Sequence, residues 1–304
     1  MIATGEYELL CDAVGLVERP GRALFEVRGG EAADFLQGQV SNDVEDLAPG
    51  QGCYATVLNH KGKIRTDLRV LRTADGFLLD TEPIAHRVVE HMLSTYTLGR
   101  DVTFGDLTGE RTLVSLIGPE ARARLDAAPP EEEHANVEGA LGLYVATDLG
   151  VDVVCEDIGD VRDALGVEEV SEEAAECLRI ESGRPRLGFD MDGDTIPQEA
   201  GLNERAVNFE KGCYVGQETV ARLHYKGKPN RHLRGLRLSE PAERGEPLLL
   251  GDRQVGRLAS TCVSPTFGPI GLALVRREAS PGDTVAVGDG GTTAEVVELP
   301  FAGD

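Results

Sequence analysis

Lys211-Gly212-Cys213-Tyr214-Val215-Gly216-Gln217-Glu218 places a cation, a thiol, a phenol and a carboxylate within one short stretch, with two glycines among them. A packed core strand does not carry such charge unpaired, and a plain surface loop has no need of the thiol. The chain has only five lysines, Lys61, Lys63, Lys211, Lys226 and Lys228, and all fall in two short segments. This stretch opens one of them. Its continuation, Gly216 to Arg222, reads as a turn entering a helix. Glu218 then sits at the positive end of the helix dipole and can pair with Arg222 one turn on. Cys213 is expected just before that helix N-terminus and near Lys211, two features that lower a thiol pKa. The residues also allow a buried, inert cysteine.

Working outward, positive charge is confined to two islands. Residues 211–237 hold Lys211, Arg222, Lys226, Lys228, Arg231, Arg234 and Arg237 against Glu218 alone. Residues 60–72 hold Lys61, Lys63, Arg65, Arg69 and Arg72 against Asp67. The whole chain of 304 residues carries a formal net charge of -23. Cations concentrated on such a background focus an anionic ligand. The plainer alternative is that these arginines pair with carboxylates elsewhere. The acidic remainder repels nucleic acid and anionic membranes, and aromatic residues, at 5%, offer few stacking platforms. Acidity of this degree fits a protein adapted to high salt, where a Debye length of about 3 Å screens self-repulsion.

The length suits two or three domains, and 41% hydrophobic residues suffice for real cores. The opening Met1-Ile2-Ala3-Thr4-Gly5-Glu6 has neither a basic start nor an apolar run, so no leader is expected. No apolar run is long enough to span a membrane. A cytoplasmic location follows as the expectation. The six cysteines are scattered, without a disulfide framework or metal-ligand spacing.

Ala23 to Val27 reads as a strand, Gly29-Gly30 as a turn and Glu31 to Leu36 as a helix. Leu113 to Ile117, Gly118-Pro119 and Glu120 to Leu125 echo that pattern. Two related α/β halves are implied by one short echo. Neither turn carries G-x-G-x-x-G, which argues against a dinucleotide fold. Lys63–Val70 and Phe77–Asp80 form an expected hairpin across Asp75-Gly76, followed by a helix from Pro83 to Leu93. Residues 127–139 read as a polar loop. Ser171 is placed to cap a helix that ends at Ser182-Gly183. From residue 233 the pattern changes to short strands, Leu233–Leu238, Gln254–Cys262, Ile270–Val275 and Thr284–Val287, between Gly/Pro turns. A small C-terminal β-barrel is expected there.

Lys211 to Glu218 resembles the K-G-C-Y-x-G-Q-E signature of YgfZ-type proteins, within the superfamily of the glycine-cleavage T-protein, a folate-dependent aminomethyltransferase. Phe35-Leu36-Gln37-Gly38-Gln39-Val40-Ser41-Asn42-Asp43-Val44 is similar to its F-L-Q-G-x-x-T-N-D-V. Leu178 to Gly183 resembles its R-x-E-x-G and Ile196 to Glu199 its P-x-E region. Gly256–Pro265 and Ile270–Val275 are similar to its barrel motifs. The resemblance covers nearly the whole chain, in the right order.

It implies an α+β fold, a T-protein-like three-domain ring. Residues 1–232 would form a folate-binding module of two interleaved α/β subdomains, and 233–304 a small β-barrel. It implies tetrahydrofolate or a one-carbon derivative as cofactor. Lys211 and Cys213 would be the reactive pair. Glu199 would be the folate-region carboxylate, and Gln217, Glu218, Tyr214, Arg222, Asn42 and Lys63 would complete the site. The two basic islands would be opposite walls of one pocket and hold the folate's glutamate tail. T-proteins carry an adjacent Asp pair after G-G-x-x; here Gly62-Lys63-Ile64-Arg65-Thr66-Asp67 keeps only Asp67. T-proteins also lack the thiol. Both departures favour a folate-binding protein that supports iron–sulfur cluster assembly or repair, with iron–sulfur enzymes or assembly proteins as partners. The alternatives are a true aminomethyltransferase with Asp67 as acid/base, and an RNA-binding module using the basic islands.

Overall fold

The computed structural model describes residues 4–302. Met1-Ile2-Ala3, on which the expectation of no leader partly rests, lies outside the described residues. No helix among those residues is long and apolar enough to cross a membrane.

Helix α1 (Thr4–Asp12) and strand β1 (Gly15–Arg19) precede β2 (Ala23–Arg28) and α2 (Ala32–Gln39), the first expected strand and helix. Then come β3 (Gly52–Leu58), β4 (Ile64–Arg72), β5 (Phe77–Thr81), α3 (His86–Tyr96) and β6 (Thr103–Asp106). The second half runs through β7 (Thr112–Ile117), β8 (Asn136–Gly139), β9 (Gly142–Ala146), β10 (Gly150–Cys155) and α4 (Ile158–Leu165).

The echo seen in the sequence is a repeat of topology. One sheet runs β3-β4-β5-β2-β6 and the other, read from its far edge, β8-β9-β10-β7-β1. In each half a strand leads into a glycine turn, the chain returns as a three-stranded meander, and the last meander strand pairs with the first strand. The two turns share their backbone as well. Gly29 (φ +120°) and Gly118 (φ +128°) occupy a region where L side chains are strained, and an added Cβ at either would stand 2.2–2.3 Å from a backbone carbonyl oxygen. The halves are interleaved because β1, from before the first half, forms the edge of the second sheet.

Strand alternation gives each sheet two different faces. On β4, Ile64, Thr66, Leu68 and Val70 are buried, and Leu68 and Val70 pack with Phe35, Leu36, Met92 and Leu93 of the covering helices. On β10, Val151, Val153 and Cys155 pack with Val161 of α4. The inner faces meet through Leu24, Leu71, Leu78, Leu113, Leu143, Val145 and Val154. Polar residues at the remaining inner positions border an opening between the sheets.

Helix α5 (Glu172–Glu181) follows, then the short α6 (Asn203–Ala206) and α7 (Gln217–Lys226). Seven strands complete the fold: β11 (Arg231–Leu238), β12 (Pro247–Leu250), β13 (Arg253–Arg257), β14 (Thr261–Ser264), β15 (Gly268–Arg276), β16 (Thr284–Val287) and β17 (Thr292–Val297). Their order is β13-β12-β16-β17-β11-β15-β14, so β13 and β14 lie at opposite edges. In a flat sheet those edges would be roughly 29 Å apart. The chain crosses from Arg257 to Thr261, at most about 14 Å. The sheet therefore curls until its edges approach, and Ala259 and Ser260 bond to Leu272 across the gap.

Four local expectations are corrected. The helix over Glu120–Leu125 is one 3-10 turn, Ala121–Arg124, after which the chain folds back and the Arg122 guanidinium donates to the carbonyls of Pro129 and Pro130. The polar loop 127–139 contains β8, an edge strand recruited by pairing with β9 rather than by apolar alternation. The single strand expected over Gln254–Cys262 is β13 and β14, broken where the chain changes edge. Ser171 stands at the N-cap of α5, but its hydroxyl donates to the Glu6 carboxylate and does not cap the helix.

Candidate functional site

The opening between the two sheets is a cavity of about 300 Å³. Its floor comes from inward positions of β3, β4, β7 and β10, and its rim from α5 and residues 184–186. Asp67 is one of its lining carboxylates. The Tyr54 hydroxyl donates to Asp67 Oδ2 at 2.6 Å, while Oδ1 has no hydrogen-bond partner among the described residues. Asp67 is half-buried at the cavity wall. Burial pushes its pKa up, against the hydrogen bond from Tyr54 and the charge of Arg22.

A lattice of ion pairs fixes the surrounding wall. Asp80, fully buried, accepts two bonds from Arg22 at 2.8 Å and one from Arg69 at 2.6 Å. Burial opposes its ionisation, but the two guanidinium groups win and hold its pKa below the usual carboxylate range. Arg69 also reaches Asp152 at 2.6 Å, tying β4 of one sheet to β10 of the other. A buried charge left unpaired costs several kcal/mol, so these pairs hold the wall in one arrangement.

His134 is the most unusual residue of the cavity. It is 7% exposed, and neither ring nitrogen has a hydrogen-bond partner among the described residues. It is the only described non-glycine residue with positive φ, +71°. Burial, with the Arg69 charge, lowers its pKa to about 4, so the ring is neutral near pH 7. Beside it, Glu133 pairs with Arg184 at 2.7 Å and Arg205 at 2.8 Å. Burial opposes its charge, but Arg205, His134 and Arg184 lower its pKa to about 2.

Of the residues proposed from sequence, only Asp67 lines this cavity. Lys211 is buried, and its ammonium donates to the carbonyls of Gln37 (2.8 Å), Val40 (2.9 Å) and Asn42 (2.6 Å). All three of its protons are thereby used. Burial draws its pKa down to about 8 against the charges of Asp43 and Cys53. The thiol that feels this lysine is Cys53, which burial raises to about 12. Cys213 is exposed just before α7, whereas the ammonium of Lys211 is turned inward.

Glu199 is 7% exposed, and Arg231 grips its carboxylate at 2.7 and 3.1 Å. It anchors the start of the barrel instead of facing the cavity. Asn42 bonds the carbonyls of Tyr54 (2.8 Å) and Arg205 (3.1 Å), so it positions two cavity residues from behind. Lys63 pairs with Asp194 at 2.5 Å. Tyr214 is buried in a hydrophobic cluster with its hydroxyl unpartnered, and burial raises its pKa to about 12. Gln217 reaches the carbonyls of Lys211 and Gly212 at 3.3–3.4 Å. Glu218 and Arg222 are exposed and do not form the expected ion pair.

The two basic islands meet, though not across the cavity. A Cβ on Gly62 would stand 2.9 Å from Thr219 of α7, and one on Gly216 2.6 Å from the Asn59 carbonyl oxygen. From the first island Arg69 lines the cavity; from the 211–237 island no residue does. The wall residues missed from sequence had a signal: Asp152 in Gly150–Cys155 and Asp80 in Phe77–Thr81 are single charges in otherwise apolar strands, where charge needs a partner. His134 had none, lying in a segment that reads as loop.

Comparison with known proteins agrees with this architecture. The family described as the GCVT N-terminal domain matches residues 2–141, and the glycine cleavage T-protein C-terminal barrel domain matches 231–302. An aminomethyltransferase of Rippkaea orientalis is 28% identical over 330 aligned positions, covering 97% of this chain and 88% of its own. The tRNA-modifying protein YgfZ of Escherichia coli is 28% identical over 301, covering 92% and 91%. The crystal structure of aminomethyltransferase T from Bartonella henselae superposes with a TM-score of 0.89 at 25% identity, over 98% of this chain and 89% of that one.

Proposed function

Because this chain belongs to the glycine-cleavage T-protein family, we propose that its central cavity binds tetrahydrofolate or a one-carbon derivative, and that it supports iron–sulfur cluster assembly or repair with Cys213 as the reactive thiol. The observation that carries the reading is Asp67: one carboxylate, oriented by Tyr54, with Oδ1 left as an acceptor without a donor. A reduced pterin offers amine donors for that acceptor, so the residues fit such a ligand. Tetrahydrofolate, when bound, would supply an amine able to carry a one-carbon unit. Asp67 would orient that ligand by accepting its proton, and the Arg22–Asp80–Arg69–Asp152 lattice would keep the wall rigid. Asn42 and Lys211 hold the backbone behind the site, and Gln217 holds the loop that displays Cys213.

Cys213 stands outside the cavity and exposed. A thiol in that position is available to a partner protein or a sulfur or iron species, and not to a ligand between the sheets. A YgfZ-type role accommodates this separation. The aminomethyltransferase reading is favoured by the near-complete superposition on aminomethyltransferase T; it requires Asp67 to act as sole acid/base. Calorimetric titration with tetrahydrofolate tests the shared premise, and turnover with an aminomethylated lipoyl carrier separates the two. Binding without turnover supports the first reading; methylene-tetrahydrofolate formation supports the second; no binding removes both. We further infer that the excess of 53 acidic over 30 basic residues is an adaptation to high ionic strength in a cytoplasmic protein.

A further inference from the structure

The junction of the two basic islands forms a second surface, separate from the cavity. Lys61 and Arg65 are exposed on the β3–β4 side, and Gly62 between them packs against Thr219 of α7. Arg222 and Lys226 are exposed one turn apart on α7, and Lys228 follows in the linker. The linker ends at Asn230, whose carbonyl accepts a 3.0 Å bond from the Arg277 amide, and the exposed Arg276 pairs in register with Arg231. Among the described residues, none of these cationic groups forms an ion pair or a side-chain hydrogen bond. Their neighbours Arg231 and Arg234 do pair, with Glu199 and Glu298. Exposed carboxylates beside the run are Asp192, Asp194, Glu210, Glu218 and Glu278, of which Asp194 is taken by Lys63 and Glu278 by Arg253.

Seven unpaired cations in one run are anomalous on a chain of net charge -23. Carboxylates are abundant, yet none neutralises them. Helix α7 contributes about 15 Å of this run and the linker up to about 13 Å more. That is the shape of a ribbon, longer than a small anion needs. At its centre Tyr225 is 66% exposed, between Arg222 and Lys226 in sequence. Its ring meets Phe209 and His224 edge-on at 6.2 and 4.9 Å, and those two rings stack at 3.9 Å. The tyrosine is thus braced from behind while its outer side faces solvent.

We propose that this ribbon binds a segment of single-stranded nucleic acid, with phosphates along the cations and a base stacked on Tyr225. An acidic polypeptide would match the charge but leave the braced aromatic unused. Cations that follow a backbone and an aromatic that takes a base are the two elements of sequence-tolerant strand binding. The ribbon is independent of the folate reading, because none of its residues lines the cavity.

The test is fluorescence anisotropy of the full chain with labelled oligouridylate, from the lowest KCl concentration at which circular dichroism shows the chain folded upward through a roughly tenfold range, with unlabelled oligoglutamate as competitor. Affinity should fall with salt, with a log–log slope of about 0.7 per phosphate neutralised. Arg222→Gln with Lys226→Gln should lower that slope by roughly 1.4. Tyr225→Ala should weaken binding at least about fivefold with the slope unchanged. Thermal unfolding of each variant reports that the fold is intact, and Tyr225→Phe should restore binding. No binding at the lowest salt at which the chain is folded would overturn the proposal. So would competition by oligoglutamate together with an unaffected Tyr225→Ala, which would assign the ribbon to an acidic protein.

Discussion

Tyr54 and Asp67 are diagonal neighbours on paired strands, and the 2.6 Å bond between them leaves the other carboxylate oxygen buried with no hydrogen-bond partner among the described residues. Burial disfavours the ionised form of Asp67, so its folded pKa is raised. The associated loss of stability is absent below an unfolded value of about 4 and complete above the folded value. Asp67→Asn keeps an acceptor for Tyr54 and removes the buried charge. Its urea midpoint at pH 7 should equal or exceed that of the parent, while tetrahydrofolate affinity should fall at least tenfold. A clearly lower midpoint would mean that the carboxylate is a structural partner.

His134 predicts an acid-side stability slope. Its folded pKa of about 4 lies below an unfolded value of about 6.5, so the unfolded chain takes up the proton first. Stability should therefore decline as pH falls from about 6.5 to about 4 and lose this dependence below. His134→Gln should flatten that interval in pH-resolved urea unfolding. An unchanged slope would show that other groups set it.

Glu133 acts lower on the scale. With a folded pKa of about 2 it stabilises the protein above the ordinary glutamate value, and that contribution should be lost as pH falls from about 4.5 toward 2. Glu133→Gln should unfold more readily at pH 7 and show less further loss in acid. Equal acid transitions in both proteins would contradict this.

Lys211 crosses to three carbonyls in the Gln37–Asn42 segment. Lys211→Met would leave those acceptors unpaired in a buried position, at a cost of about 3 kcal/mol or more. Equilibrium unfolding measures it. A change below about 1 kcal/mol would return Lys211 to consideration as a reactive group.

Cys213 should behave oppositely. It is exposed, so Cys213→Ala should leave the unfolding midpoint within about 0.5 kcal/mol of the parent. Activity of iron–sulfur enzymes in cells carrying the variant should fall. Unchanged activity would remove the thiol from the proposed function.

The acidic surface predicts salt dependence of the fold itself. Dilution to low ionic strength should unfold the protein, followed by circular dichroism. Full retention of structure without salt would remove the high-salt inference.

The candidate site was only partly legible in the chain. Asp67 was found because its neighbours form a recognisable motif. Asp80 and Asp152 left a weaker trace, as charges interrupting apolar strands, and Arg69 stood in the sequence only as one cation of a basic island. His134 and Arg184 left none, because they reach the cavity from irregular segments whose course depends on contacts far away in sequence, and Arg205 reaches it from the four-residue α6, too short to show a period. The residues of the Lys211–Glu218 signature were found, but their division of labour was not.

What the sequence determined by itself was local: the strand–glycine echo, with a helix after its first copy only, the hairpin expected over residues 63–80, the β-rich C-terminal segment and the family. Each depends on backbone preference or side-chain period, which neighbours in the chain encode. Tertiary structure alone decided that Lys211 turns inward while Cys213 turns out, that Glu199 belongs to Arg231, and that the two basic islands meet beside the cavity and not across it. Those outcomes rest on charge pairing and close approach between distant segments, as where Gly62 admits Thr219 and three carbonyls converge on one ammonium. A buried charge takes whichever partner the fold brings within reach, and spacing along the chain does not say which.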